Sequence, residues 1–170
     1  MKRALVVIAL VASACSSAPK AAEPGPLDGP VGFRVLSEKE NPSPCNDAPD
    51  VSVAKTDAGW IDVFDQQTSC TNQDTIDLPD IDFASEVGVA VWWKKVGCLG
   101  FVLHTDSIER AGNTIDVRAH STGPSGVCAQ AIGQLESFLA VQLSVRFTGA
   151  EPIRFILDGT TIATANAPKK

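Results

Sequence analysis

His104 and His120 are the only two histidines of this 170-residue chain. With Asp106, Asp116, Ser107 and Ser121 they form the set whose types could run a hydrolysis: imidazole as base, carboxylate as orienter, hydroxyl as nucleophile. Residues 101–108 and 114–120 read as two strands flanking 109–113, where Gly112 and Asn113 can take the positive φ of a tight reversal. One register of that hairpin sets His104 opposite Arg118 and Asp106 opposite Asp116 on a polar face. Strand alternation then places Ser107 with Phe101, Leu103 and Thr105 on the other face, away from the histidines. The chain has no G-x-S-x-G elbow and no Gly-rich phosphate loop, so the expectation is no catalytic residue and two histidines on a solvated sheet face.

Metal chemistry is equally weakly encoded. Asp74, Asp77, Asp80 and Asp82 could gather oxygen ligands, but they lack the D-x-[DN]-x-[DN]-G order and are interrupted by Pro79, which reads as a solvated acidic loop. Cysteine and histidine show no C-x-x-C or H-x-x-x-H spacing, so a zinc site is not expected. No cofactor is expected.

The five cysteines divide by context. Lys2 and Arg3 precede the apolar stretch 4–10, and Val11, Ala12, Ser13 and Ala14 set small residues directly before Cys15. The order resembles a bacterial lipobox, with Ala12 where leucine is usual, and implies that Cys15 is lipidated and becomes the mature N-terminus. The apolar run is too short to span a bilayer, whereas a multiply acylated cysteine anchors a domain stably. The expected organisation is therefore a signal peptide over 1–14, a lipidated cysteine with an Ala/Pro/Gly tether over 15–30, and one domain over 31–165. Losing Lys2 and Arg3 takes the formal charge from −6 to −8, which disfavours nucleic acid and anionic lipid headgroups as partners. The remaining cysteines, Cys45, Cys70, Cys98 and Cys128, are even in number, as an exported protein with two disulfides requires. Of the possible pairings, Cys45 with Cys70 and Cys98 with Cys128 close moderate loops. The expected location is the bacterial cell envelope, with Ser16 compatible with outer-membrane sorting.

The elements that must position these residues are mostly strands. Residues 33–36 form a short strand candidate, and Thr56 or Asp57 caps one short helix in which Trp60, Val63 and Phe64 recur at helical spacing. Val87, Val89, Val91 and Trp93 alternate with Gly88, Ala90 and Trp92, giving a bulky face and a mostly small one. Leu139, Val141, Leu143, Val145 and Phe147 alternate with polar residues as a half-buried strand. Asp158-Gly159 suits a type I′ turn pairing Leu157 with Thr160 and Phe155 with Ile162. Many short strands with tight turns predict a mainly β chain: an antiparallel β-sandwich or a small β-rich α+β domain with one short helix.

The motif order across 59–131 is similar to that of the PrcB-like family, named for a lipoprotein subunit that stabilises a subtilisin-like protease complex. The resemblance lies in the short helix 59–64, Asp82-Phe83 opening a strand, the turn Leu99-Gly100-Phe101 before a hairpin, and Cys128-Ala129-Gln130-Ala131 after a Pro-Gly segment. The turn carries one glycine where the family has two. What the resemblance implies is a binding module without chemistry whose partner is an exported protein, a subtilisin-like serine protease. A protease inhibitor and a structural envelope lipoprotein are the competing readings. Loops 97–101 and 123–128, tied by the proposed bridge, would present Leu99, Gly100, Phe101 and Pro124 on a stiff edge. Trp92, rising from small neighbours and followed by Lys94 and Lys95, is a contact anchor if its face is open, and a core residue if the helix or the 45–70 loop covers that face.

Overall fold

The computed structural model describes residues 27–41, 50–68, 78–97, 100–124, 126 and 131–166. All five cysteines and Leu99 lie outside the described residues, as do the side chains of Lys94 and Lys95. The elements are β1 (Gly29–Pro30), β2 (Phe33–Asn41), β3 (Asp50–Ala54), α1 (Asp57–Thr68), β4 (Glu86–Gly97), β5 (Val102–Ala111), β6 (Thr114–Thr122), β7 (Ala131–Gln142), β8 (Ile153–Leu157) and β9 (Thr160–Ala165). They form a five-stranded sheet, β1-β5-β6-β8-β9, facing a four-stranded sheet, β2-β7-β4-β3. This is the mainly β, sandwich-type architecture that the strand-rich pattern predicts, with one helix among the described residues.

Alternation makes the core. Val87, Val89 and Val91 of β4 and Leu135, Leu139 and Val141 of β7 meet Leu103, Ile108, Ile115, Val117, Ile153, Phe155 and Leu157 of the facing sheet. The opposite face of the four-stranded sheet is small, and α1 lies on it. Trp60, Val63 and Phe64 of the helix pack with Ala54, Ala90, Phe138, Ala140 and Trp92 in a second cluster. Gly88 is the point of closest approach: a Cβ there would lie 2.7 Å from Trp60 Cε3 and 3.0 Å from Ile81 Cδ1. Small residues on β4 are therefore the seat of a helix rather than the setting of an exposed aromatic. Thr56 is the cap, its Oγ1 accepting the Gly59 N–H at 3.1 Å, with Asp57 in the first turn where a negative charge complements the helix dipole.

Several details differ from the sequence reading. The sheet begins inside the expected tether, since Gly29 and Pro30 pair with Arg110 and Glu109 of β5 and Asp28 Oδ1 accepts the Gly112 N–H at 2.8 Å. The strand expected to run to Phe147 stops at Gln142. Ser144 Oγ accepts the N–H groups of Arg146 and Phe147 at 3.1 and 3.3 Å, a side-chain turn that competes with the ladder. Val145 is thereby left 74% exposed while Phe147 returns to the core. Nor is β7 half-buried: residues 135–141 are buried throughout, because the helix covers one face and the second sheet the other.

The β8–β9 turn has the expected backbone, with Asp158 at φ 48° and Gly159 at φ 81° and Leu157 opposite Thr160. A bulge one pair further on sets Phe155 opposite Ala163 instead of Ile162. The β5–β6 hairpin turns at Gly112-Asn113, and there Gly112 alone takes positive φ, at 62°. β6 also pairs in parallel with β8, placing Asp116 beside Arg154.

Candidate binding surface

The segment entering β5, the segment leaving β6 and the β8–β9 turn meet at one end of the sandwich. Gly100 has φ +90°, a conformation costly for any residue with a Cβ, and it lets the chain turn into β5 with Pro124 packed over it, 3.7 Å from where a Cβ would stand. Phe101 is half-buried, packed at the margin of the core, and its ring occupies the space beside Gly123 that a Cβ would need. Each glycine therefore receives the bulky residue of the other loop. The β8–β9 turn joins this end through Asp158, whose carboxylate accepts from Ser121 Oγ at 3.2 Å and Ser121 N at 3.4 Å.

Behind the loops, the outer face of the five-stranded sheet carries the histidines, in a different register from that predicted. β5 bulges between Thr105 and Ser107, so His104 stands opposite His120 and Ser107 opposite Arg118. The extra residue also reverses the parity, bringing Ser107 onto the outward face it was expected to avoid. The two imidazoles lie 5.2 Å apart, tilted by 35°. His120 Nδ1 is 2.7 Å from Asp106 Oδ1, while His104 Nε2 is 3.0 Å from Thr122 Oγ1 and its Nδ1 is 3.5 Å from Glu38 Oε2.

Hydroxyl, imidazole and carboxylate thus fall in line at Thr122, His104 and Glu38. That order can polarise a hydroxyl, but His104 is 42% exposed in its side chain on an open sheet face, without the enclosed, preorganised surroundings that make such a line catalytic. The Glu38 carboxylate is also engaged elsewhere, accepting the Thr105 backbone N–H at 2.7 Å. Among the described residues no group of three or more His, Cys, Asp or Glu side chains could hold a metal ion. Asp82, one of the acidic candidates, spends its oxygens on Ser85 Oγ at 2.7 Å and Ala84 N at 3.1 Å. Those two bonds hold its carboxyl below the usual aspartate value.

Asp116, expected opposite Asp106, faces Glu109 instead. Arg154 grips it with two bonds of 2.7 and 2.9 Å and Arg118 adds a third at 3.1 Å, which neutralises the acidic pair from both sides.

Of the predicted contact residues, Gly100, Phe101 and Pro124 are brought together. Trp92 is not among them: it is 1% exposed, edge-on to Phe138 with ring centroids 6.0 Å apart, because α1 and its neighbours roof that face. As an anchor it is corrected to a core residue. Lys94 and Lys95 pair through their backbones with Gln134 and Gly133. Sequence reading placed Gly123 in its loop and Asp158 in its turn without assigning either to this surface, and it missed Glu38. The first two were legible as glycine before proline after a strand and as a turn aspartate, whereas Glu38 depends on a bulge that no local pattern announces. Compared with family models, curated proteins and solved structures, the chain matches none of them.

Proposed function

We propose that this chain is a lipid-anchored binding module of the bacterial cell envelope that recognises an exported protein through the loop end at Gly100, Phe101, Gly123 and Pro124 and performs no chemistry itself. One observation carries the reading: the segments entering and leaving one hairpin interlock at its open end, aromatic on glycine and proline on glycine, so these four residues are held in place before a partner arrives. Preorganised loops on a β scaffold bind at low entropic cost. The lipobox-like run before Cys15 supports the anchor, and the resemblance to the PrcB-like family supports a subtilisin-like protease as the partner, which the module would stabilise.

The test is affinity capture from native envelopes, comparing the parent chain with Phe101→Ser and Cys15→Ala. Recovery of an exported protease whose abundance falls when the module is deleted supports the reading. Stoichiometric loss of protease activity on binding would make the module an inhibitor. Recovery of envelope structural components alone would leave a structural lipoprotein. Unchanged membrane partition of Cys15→Ala would remove the anchor.

A further inference from the structure

A second surface, on the far side of the four-stranded sheet, has the chemistry of a binding pocket. Between the start of α1 and residues 78–83 lies a groove of about 210 Å³ walled by Trp60, Ile61, Leu78, Pro79, Ile81 and Phe83. Its polar residues are Asp57 and Asp80, both exposed. The volume is below the range of drug-sized cavities and suits a single extended side chain.

The charges around the groove are one-sided. The outward positions of α1 include Asp57, Asp62 and Asp65, and the last turn of the helix has no basic residue. The nearby cation, Arg34, is committed: its Nε and Nη2 bind the two oxygens of Glu86 at 3.0 and 2.8 Å, and Nη2 also donates to the Asp80 backbone carbonyl at 2.7 Å. That arrangement uses the main chain of Asp80; the Asp80 carboxylate feels the charge of Arg34 at longer range, and neither it nor that of Asp57 makes a hydrogen bond or close ion pair among the described residues. The floor of the trough is Trp60, buried with its six-membered ring resting on Gly88. An apolar trough rimmed by two exposed carboxylates is complementary to an apolar stem ending in a cation.

We propose that this groove takes a lysine or arginine side chain of a partner protein, its methylene stem against Trp60, Ile61 and Phe83 and its cationic head between Asp57 and Asp80. The proposal rests on the binding-module reading and adds the chemistry of a second contact, on a different face from the Phe101 loop end.

The experiment is an NMR titration of the 15N-labelled full chain, following the Trp60 indole N–H assigned through Trp60→Phe. The probes are three capped tripeptides, leucine-lysine-leucine and its counterparts with norleucine or glutamate at the centre. The expected result is a saturable shift at Trp60, with the lysine peptide binding about fivefold more tightly than the norleucine one, as two solvent-exposed ion pairs allow, and the glutamate peptide weakest. In Asp57→Asn/Asp80→Asn, which alters only exposed side chains, the lysine preference should vanish while norleucine binding persists. No shift at Trp60, equal affinities in the parent chain, or a preference that survives the double substitution would each overturn the proposal. Partner capture retained in Phe101→Ser with intact peptide binding would count against the loop-end reading and spare the groove, so the two failures are distinguishable.

Discussion

The Glu38 carboxylate accepts the backbone N–H of Thr105 at 2.7 Å, so an edge strand of one sheet satisfies the donor exposed by a bulge in the other. Thr105 Oγ1 and Ser137 Oγ, 3.0 Å apart, add a second polar tie between the sheets. The bulge that rearranges the histidine face is therefore fixed from across the sandwich. Removing the acceptor leaves a part-buried N–H unmet, and Glu38→Ala should cost about 1–2 kcal/mol in chemical denaturation, with faster hydrogen exchange at the Thr105 amide. An unchanged exchange rate would mean that another group holds the bulge.

Trp92 should behave as a core residue. Trp92→Ala should destabilise the fold by about 3–5 kcal/mol, and Trp92→Phe by much less, since the indole Nε1 has no hydrogen-bond partner among the described residues. Thermal melting of the two variants checks this, and a melt unchanged in Trp92→Ala would place the residue outside the core.

Two glycines should fail in different ways. Gly88→Ala pushes a Cβ to 2.7 Å from Trp60, inside the helix-sheet layer where neither side can retreat, and should cost about 1–3 kcal/mol. Gly123→Ala displaces the half-buried Phe101 ring at the sandwich end, so the loss should fall on partner binding more than on the melting temperature. Comparing stability and capture for both variants separates core from surface.

The acid limit of stability should involve Glu151. Burial disfavours its charge, but bonds from Arg110 at 2.6 Å and from the Thr148 amide at 3.0 Å hold its carboxyl below the ordinary value of 4.5. Glu86 is likewise held low, chiefly by its hydrogen bond with Arg34. A carboxyl whose folded pKa is depressed contributes stability that is fully present above its unfolded pKa and is lost as pH falls through the folded one. Stability should therefore decline below about pH 4.5. Glu151→Gln, which strands the buried Arg110, should cost about 3 kcal/mol at pH 7, and that difference should shrink as the parent protonates. Equal pH slopes in denaturation of parent and variant would contradict the assignment.

How much of this was legible follows from the range of each signal. Asp158-Gly159 specified its own turn because the signal is a local backbone preference, and the helix at Trp60 showed because its periodicity is local. The bulge at Thr105 was not legible, since the added residue is compensated by Glu38, 67 positions away, and it reversed the expected placement of Ser107. The small face around Gly88 was visible as a pattern, but its meaning depended on α1 being folded back onto it. The parallel pairing of Asp116 with Arg154 likewise joins residues that no turn connects. At the candidate surface, Gly100, Phe101 and Pro124 were legible from their types, whereas the interlock with Gly123 required the hairpin register.

The most direct measurement places photoreactive benzoylphenylalanine at Pro124 in cells, with the same probe at Asn113, on the opposite tip of the hairpin, as control. The account predicts an exported protein cross-linked from position 124, absent from position 113 and lost when Phe101→Ser is added. Equal cross-linking from both positions, or none from 124 in cells that retain the module on their envelope, would contradict it.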